Sequence, residues 1–211
     1  MTGGRRPVAV AITGGIGAGK SEALRAFARH GAAVISSDEI VHRLLREDAD
    51  VKAAIVGRFG EDVLGPDGEI DRSRVGKIVF GDRGELAWLE SLLHPRVSAE
   101  YLRWRDELAE LPDPPAVCAT EVPLLYETGA EERFDAVVAI TASTAVRTSR
   151  TIRPDVNLRE QRLIADEEKL RRADFAYVNE GSLEELDAFV AGVMAKLSSW
   201  RAEREGSSRA V

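Results

Sequence analysis

Val8-Ala9-Val10-Ala11-Ile12-Thr13-Gly14-Gly15-Ile16-Gly17-Ala18-Gly19-Lys20-Ser21-Glu22 decides the fold. An apolar, β-prone run breaks into a glycine loop, and a segment with helical spacing follows it. Gly14, Gly19, Lys20 and Ser21 fill the four fixed positions of G-x-x-x-x-G-K-[ST], the phosphate-binding P-loop. Glycines let the backbone curl so that successive N–H groups point inward and form an anion nest. The helix opening near Lys20 adds the positive end of its dipole. In this pattern Gly15, Ile16, Gly17, Ala18, Gly19, Lys20, Ser21 and Glu22 line the phosphates, Lys20 reaches the outer ones, and the Ser21 hydroxyl ligates Mg²⁺. A glycine-rich turn followed by a chance Lys-Ser is the plain alternative. The order strand, loop, helix argues against it.

Working outward, the chain alternates short apolar runs with helical segments. The strand expected at 8–13 feeds a helix over about 20–30, with Ala23, Leu24, Phe27 and Ala28 on its apolar stripe and Gly31 at its end. Ala32-Ala33-Val34-Ile35 reads as a buried strand. Ser37 or Asp38 is expected to cap the next helix, which carries Ile40, Val41, Leu44 and Leu45. A helix near 49–59 precedes the turn Gly65-Pro66-Asp67-Gly68, and 72–110 reads as largely helical with a break at His94-Pro95. Strands follow at 116–120, 136–141 and 175–178, separated by an arginine-rich stretch over about 142–172. A terminal amphipathic helix shows Leu183, Leu186, Phe189, Val190, Val193, Met194 and Leu197 on one stripe, and 206–211 reads as a flexible tail. Apolar runs alternating with helices predict an α/β, three-layer fold of the P-loop nucleoside-triphosphate hydrolase type, with a central parallel sheet. Ligands of such folds bind at the carboxyl ends of the strands, where Gly14 to Ser21, Asp38, Glu121 and Asn179 fall.

The bulk properties narrow the class. A chain of 211 residues holds one α/β domain, and a formal net charge of −7 does not favour nucleic acid as a partner. The single cysteine, Cys118, allows no intrachain disulfide and reads as a small buried hydrophobe. No apolar run approaches the length that spans a bilayer, and Met1 to Pro7 leads into no signal-peptide core. The expectation is a cytoplasmic enzyme without a membrane or nucleic-acid partner. The oligomeric state stays open, because the terminal amphipathic helix serves the core or a second subunit equally well.

A P-loop alone does not choose between switch, motor and kinase. The guanine-reading N-K-x-D is absent from the sequence, and Asp62-Val63-Leu64-Gly65 matches only the short D-x-x-G. An N-terminal P-loop with a late arginine-rich stretch suits a small-molecule kinase, whose lid arginines exclude water and stabilise charge on the transferring phosphoryl. Further segments carry a resemblance. Thr13 to Ser21, Val34-Ile35-Ser36-Ser37-Asp38, Leu93-His94-Pro95, Val122-Pro123-Leu124-Leu125-Tyr126-Glu127, Ala173-Asp174 and Asn179-Glu180-Gly181-Ser182 stand in the order of elements in the dephospho-coenzyme A kinase family. Over about 8–182 the chain resembles that family.

The resemblance implies a single kinase domain over 1–205. Its core lies at about 8–38 and 114–205, a helical substrate lobe at about 39–110, and a lid at about 147–172. It implies ATP and Mg²⁺ as cofactors, dephospho-CoA as the small-molecule partner, and phosphorylation of that partner's ribose 3′-hydroxyl. Asp38 falls on the second Asp of the family's Asp-x-Asp element, which implies that it orients the hydroxyl and accepts its proton; its local alternative is a helix cap. His94 and Leu124 fall on the substrate side, and Glu121 is a candidate Mg²⁺ ligand through water. Arg150 is the first choice for gripping phosphates, ahead of Arg147 and Arg153, and each also reads as a solvated helix charge. Asn179 and Gly181 resemble the loop around adenine, while Glu127 reads as structural. Three features depart from the family wording: Ser36 replaces the first Asp, Glu22 stands where Thr is usual, and Gln161 is out of register with the lid glutamine. Another nucleoside or nucleoside-monophosphate kinase, or a P-loop module that binds nucleotide without transferring phosphate, are the alternatives.

Overall fold

The computed structural model describes residues 6–150 and 164–208, with side chains as far as Arg201. Contacts divide the chain into two units, Met1–Ile35 with Arg105–Val211, and Ser36–Trp104.

The first unit is built on five parallel strands: β1 (Val8–Thr13), β2 (Ala33–Ile35), β3 (Val117–Glu121), β4 (Ala136–Thr141) and β5 (Phe175–Val178), in the order β2-β3-β1-β4-β5. β1 lies at the centre, paired with β3 through Val8↔Val117 and with β4 through Val10↔Ala136. Its six residues are all buried, which is why the run is apolar throughout rather than alternating. One face, carrying Val8, Val10 and Ile12, packs on helix α1 (Lys20–Arg29) through Leu24 and Phe27, and on the terminal helix through Leu186, Val190, Val193 and Leu197. The other face, with Ala11 and Val137, packs on Leu125, Tyr126 and Ala130. Full burial of a side chain such as Phe27 contributes about 1.5–3 kcal/mol. β5 is an edge strand whose residues alternate in exposure, and Val178 is exposed.

The second unit is helical. α2 (Ser37–Glu47), α3 (Ala49–Phe59) and α4 (Arg72–Gly81) lie in it, and α5 (Arg83–Ala109) contributes its residues up to Trp104. Leu45, Val51, Ile55, Val63, Val75, Val79 and Leu93 form its core, with Phe59 edge-on to Trp88 at 5.3 Å between ring centroids. Aspartates start the helices: Asp48 accepts the N–H groups of Asp50 and Val51, and Asp71 those of Ser73 and Arg74. The expected turn is closed by Gly68 N–H to Gly65 O at 3.0 Å.

Several expectations on elements are corrected. The N-cap of α2 is Ser36, with no side-chain bond, and Ser37 and Asp38 already lie in the first turn. α5 runs through Pro95 without a break. The Arg96 guanidinium donates to Leu92 O at 2.8 Å, supplying a donor in the turn that the proline ring disturbs. The terminal helix extends to Ser208, past the boundary expected at 205, and Leu183 at its start is exposed rather than on the buried stripe. Among the described residues, no helix is long and apolar enough to cross a membrane.

Candidate active site

The glycine loop leaves the carboxyl end of β1 in a space that side chains would fill. At Gly14 φ is +144°, and a Cβ there would overlap the Ile140 carbonyl oxygen of the neighbouring strand. Gly19 has φ of +102°, and a Cβ on it would fall on the Asn179 side-chain nitrogen. The loop tightens through Ala18 N–H to Gly15 O at 3.3 Å, and α1 makes its first intrahelical bond from Ala23 N–H to Gly19 O at 2.9 Å. The N–H groups of Gly19, Lys20, Ser21 and Glu22 precede that bond, as the opening turn of any helix requires. A helix start of this kind is suited to an anion.

The side chains around this end are held by one another. Lys20 Nζ donates to Gly15 O at 2.8 Å, which folds the ammonium over the loop. Ser21 Oγ donates to Glu121 Oε2 at 3.1 Å. Glu121 is the last residue of β3, and the β1–β3 register pairs it with Ile12, two residues before the loop. Parallel pairing thus brings a hydroxyl and a carboxylate together across 100 residues of sequence. A hydroxyl and a carboxylate are hard donors that suit Mg²⁺, which takes few protein ligands and keeps waters and phosphate oxygens. Among the described residues there is no group of three or more His, Cys, Asp or Glu placed to hold a metal ion.

Asn179 follows β5 and is buried, 4% exposed. Its Nδ2 donates to Ala18 O at 2.8 Å, so the side chain latches the loop instead of standing open to a base. Arg150, the last residue of α6 (Thr144–Arg150), donates through Nη1 to Asn179 O at 3.4 Å. Arg147 on the same helix lies closer to the loop. Its guanidinium occupies the space that a Cβ at Gly15 would take, 3.7 Å from the Asp166 carboxylate of α7 (Asp166–Arg172). Both arginines therefore stand beside the anion nest, and Arg147 is the one in contact range of Gly15. Arg153 and Gln161 lie outside the described residues.

Glu22 does not turn its carboxylate to the phosphates. Its oxygens accept from Arg25 at 2.9 Å and from Arg29 at 3.0 Å. Partial burial pushes its carboxyl up, but the two guanidiniums outweigh that and hold it below the usual value. What Glu22 offers the loop is its N–H. Glu127 Oε1 accepts Ile164 N–H at 2.8 Å and lies 3.5 Å from the fully buried Lys169 ammonium. Leu124 directs its carbonyl to Thr128 at 3.1 Å, while its neighbour Leu125 is the buried residue of the pair. Asp38 and His94 belong to the second unit; both are exposed, and neither side chain has a hydrogen-bond partner among the described residues.

Some features escaped the sequence reading. Ser182 and Glu185 form a capping box at the start of helix α8 (Leu183–Ser208): Glu185 N–H meets Ser182 Oγ at 3.3 Å, and Ser182 N–H meets Glu185 Oε2 at 3.1 Å. The Glu185 carboxylate passes over Gly181, where a Cβ would collide with it. Gly181 thus makes room for a helix cap. The spacing Ser-x-x-Glu was the available signal. Glu180 takes both polar groups of Ser143, its N–H and its hydroxyl, the latter at 3.0 Å. Only the strand pairing reveals that contact.

Comparison with known proteins agrees with this geometry. A family model described as dephospho-CoA kinase matches residues 8–185. A dephospho-CoA kinase from Streptomyces avermitilis is 40% identical over 207 residues, covering 95% of this chain and 98% of its own length. One from Thermobifida fusca is 35% identical over 198 residues, covering 89% and 95%. Among solved structures, TT1252 from Thermus thermophilus matches with a TM-score of 0.72 and 31% identity over 91% of this chain and 98% of that one. Dephospho-CoA kinase from Campylobacter jejuni matches at 0.65 and 26%, over 92% and 99%. With a complete P-loop and matches spanning most of its length, the chain belongs to the dephospho-CoA kinase family.

Proposed function

We propose that this protein transfers the γ-phosphoryl group of ATP to the ribose 3′-hydroxyl of dephospho-CoA, giving coenzyme A and ADP. The observation that carries the reading is the P-loop with Ser21 and Glu121 joined at 3.1 Å, in a chain of this family. The hydroxyl oxygen attacks Pγ, the bond from Pγ to the β-bridging oxygen breaks, and ADP leaves with that electron pair. Asp38 orients the hydroxyl and takes its proton, work that suits an exposed carboxylate because phosphoryl transfer needs a positioned nucleophile more than a strong base. The loop N–H groups and Lys20 hold the β- and γ-phosphates, and Arg147 and Arg150 stabilise charge on the phosphoryl in flight. Ser21 and Glu121 hold Mg²⁺, which neutralises phosphate charge when bound. His94 and Leu124 contribute to the substrate side, and Asn179 and Gly181 shape the nucleotide side by fixing the loop and the start of α8. The reaction belongs in the cytoplasm, with small molecules as its partners.

The test is ADP release from ATP and Mg²⁺ with dephospho-CoA as acceptor, against AMP, CMP, dTMP and no acceptor, with the product weighed for one added phosphoryl group. Turnover is expected with dephospho-CoA alone. Preference for a monophosphate overturns the substrate, and ATP binding without transfer to any acceptor overturns the reaction. Asp38→Asn is expected to keep ATP affinity and to lose turnover by at least about 10²-fold.

A further inference from the structure

Glu180 has no part in the chemistry just described, yet its contacts are specific. β4 and β5 pair in parallel with Thr141 opposite Val178, and Asn179 N–H donates to Thr141 O at 2.7 Å. Carried two residues past that pair, the same register sets Glu180 opposite Ser143. There the Glu180 carboxylate uses both oxygens, Oε1 accepting from Ser143 N–H and Oε2 from Ser143 Oγ at 3.0 Å. Ser143 is the residue from which α6 departs: its carbonyl accepts Arg147 N–H at 2.9 Å. α6 carries both arginines at the nest. The residue before Glu180 is Asn179, whose side chain holds Ala18 O of the loop at 2.8 Å and whose carbonyl receives Arg150.

Two adjacent residues at the end of β5 therefore grip two different things. Asn179 grips the phosphate-binding loop and Glu180 grips the base of the arginine helix. We propose that Glu180 is a positioning residue for phosphoryl transfer, fixing α6 so that Arg147 and Arg150 meet the γ-phosphate. The claim rests on the kinase reading above, and on the arginines as the groups through which Glu180 acts. A misplacement of about 1 Å in such a group costs up to about 10²-fold in rate, so a single anchoring carboxylate has leverage without touching substrate.

The test pairs turnover with binding. Glu180→Ala is expected to lower kcat with dephospho-CoA by about 10- to 100-fold while leaving ADP affinity unchanged. It is also expected to narrow the preference for an uncleavable β,γ-linked ATP analogue over ADP, a readout that needs no acceptor. Glu180→Gln, which keeps an acceptor for Ser143 N–H and a polar partner for its hydroxyl, is expected to restore most of both. In an Arg147→Ala/Arg150→Ala background, Glu180→Ala is expected to change neither kcat nor the analogue preference further. Full activity and unchanged preference in Glu180→Ala overturn the proposal. So does an equal loss with and without the arginines, which marks a general structural role. If the wild-type protein does not phosphorylate dephospho-CoA, the substrate reading fails, and the analogue-to-ADP preference across the same variants still decides the role of Glu180.

Discussion

The two ends of the central sheet use the same side chains for opposite purposes. At the amino ends, Asp135 Oδ2 accepts Ala9 N–H at 2.8 Å and Asp174 Oδ2 accepts Val137 N–H at 2.8 Å. Each carboxylate there closes a backbone donor of β1 or β4, where the strand begins. At the carboxyl ends, Glu121 and Glu180 accept from the hydroxyls of Ser21 and Ser143. Those serines open the P-loop helix and the arginine helix, so the acids set functional elements instead of finishing strands. The comparison separates motif from function. Ala173-Asp174 stands among the segments that carry the family resemblance, yet its carboxylate does structural work on the far side of the sheet from the nucleotide loop.

The sharpest break between the ends is expected at Lys20. Its ammonium rests on Gly15 O at 2.8 Å, folded over the P-loop. Lys20→Ala is expected to lower turnover by about 10²–10³-fold, the usual effect of removing one preorganised charge stabiliser. Thermal stability is expected to stay near wild type, because the half-buried ammonium makes a bond to a loop carbonyl and packs no core. Near-normal turnover in steady-state kinetics would remove the P-loop from the chemistry and erase the distinction between the two ends.

How far this distinction was legible depends on the range of the contact. β1, β4 and α3 are readable from local pattern, because strands buried on both faces are apolar throughout and helix starts carry Asp or Ser. The P-loop is readable because its glycines, Lys20 and Ser21 are fixed in one short stretch. Pro95 misleads, since a long helix carries a proline when the turns on either side of it stay helical, and here the Arg96 guanidinium adds a bond to Leu92 O in that turn. Which of Arg147 and Arg150 stands against Gly15 depends on how α6 faces the loop, and the helix sequence alone does not carry that. Ser21–Glu121, Ser143–Glu180 and Asp174–Val137 depend on which strands pair and in what register, which no local window contains.

A smaller effect, on stability alone, is expected at the amino end. Asp174→Ala removes the acceptor of the Val137 N–H, and Val137 is 6% exposed. A buried donor left unsatisfied costs about 1–3 kcal/mol, which for a chain of this size lowers the melting temperature by several degrees. The rate per folded molecule is expected to match wild type. Denaturant unfolding and kcat measured on the same preparation separate the two quantities. A loss of kcat with unchanged stability would put Asp174 in the catalytic machinery and reverse its assignment.

The smallest effect is expected from an acid that serves neither end. Asp187 on α8 accepts from Arg29 at 2.8 Å and 3.0 Å and lies 2.9 Å from His30 Nε2. The Arg29 hydrogen bonds, and then that of His30, hold its carboxyl below the ordinary value of 3.8. A carboxylate depressed in the folded state stabilises the fold fully above its unfolded value, and the contribution disappears as pH falls through the folded one. Asp187→Asn is therefore expected to melt slightly below wild type at neutral pH, with the gap closing as pH drops below about 3.8. Glu22, held low by the same Arg29 and by Arg25, titrates in the same direction, so Asp187→Asn compared with Glu22→Gln/Asp187→Asn apportions the shared guanidinium. Both groups are partly exposed, and salt is expected to shrink the gap further. A gap that persists unchanged into acid would mean that Asp187 acts through packing. The α1–α8 contact would then depend on its apolar residues alone.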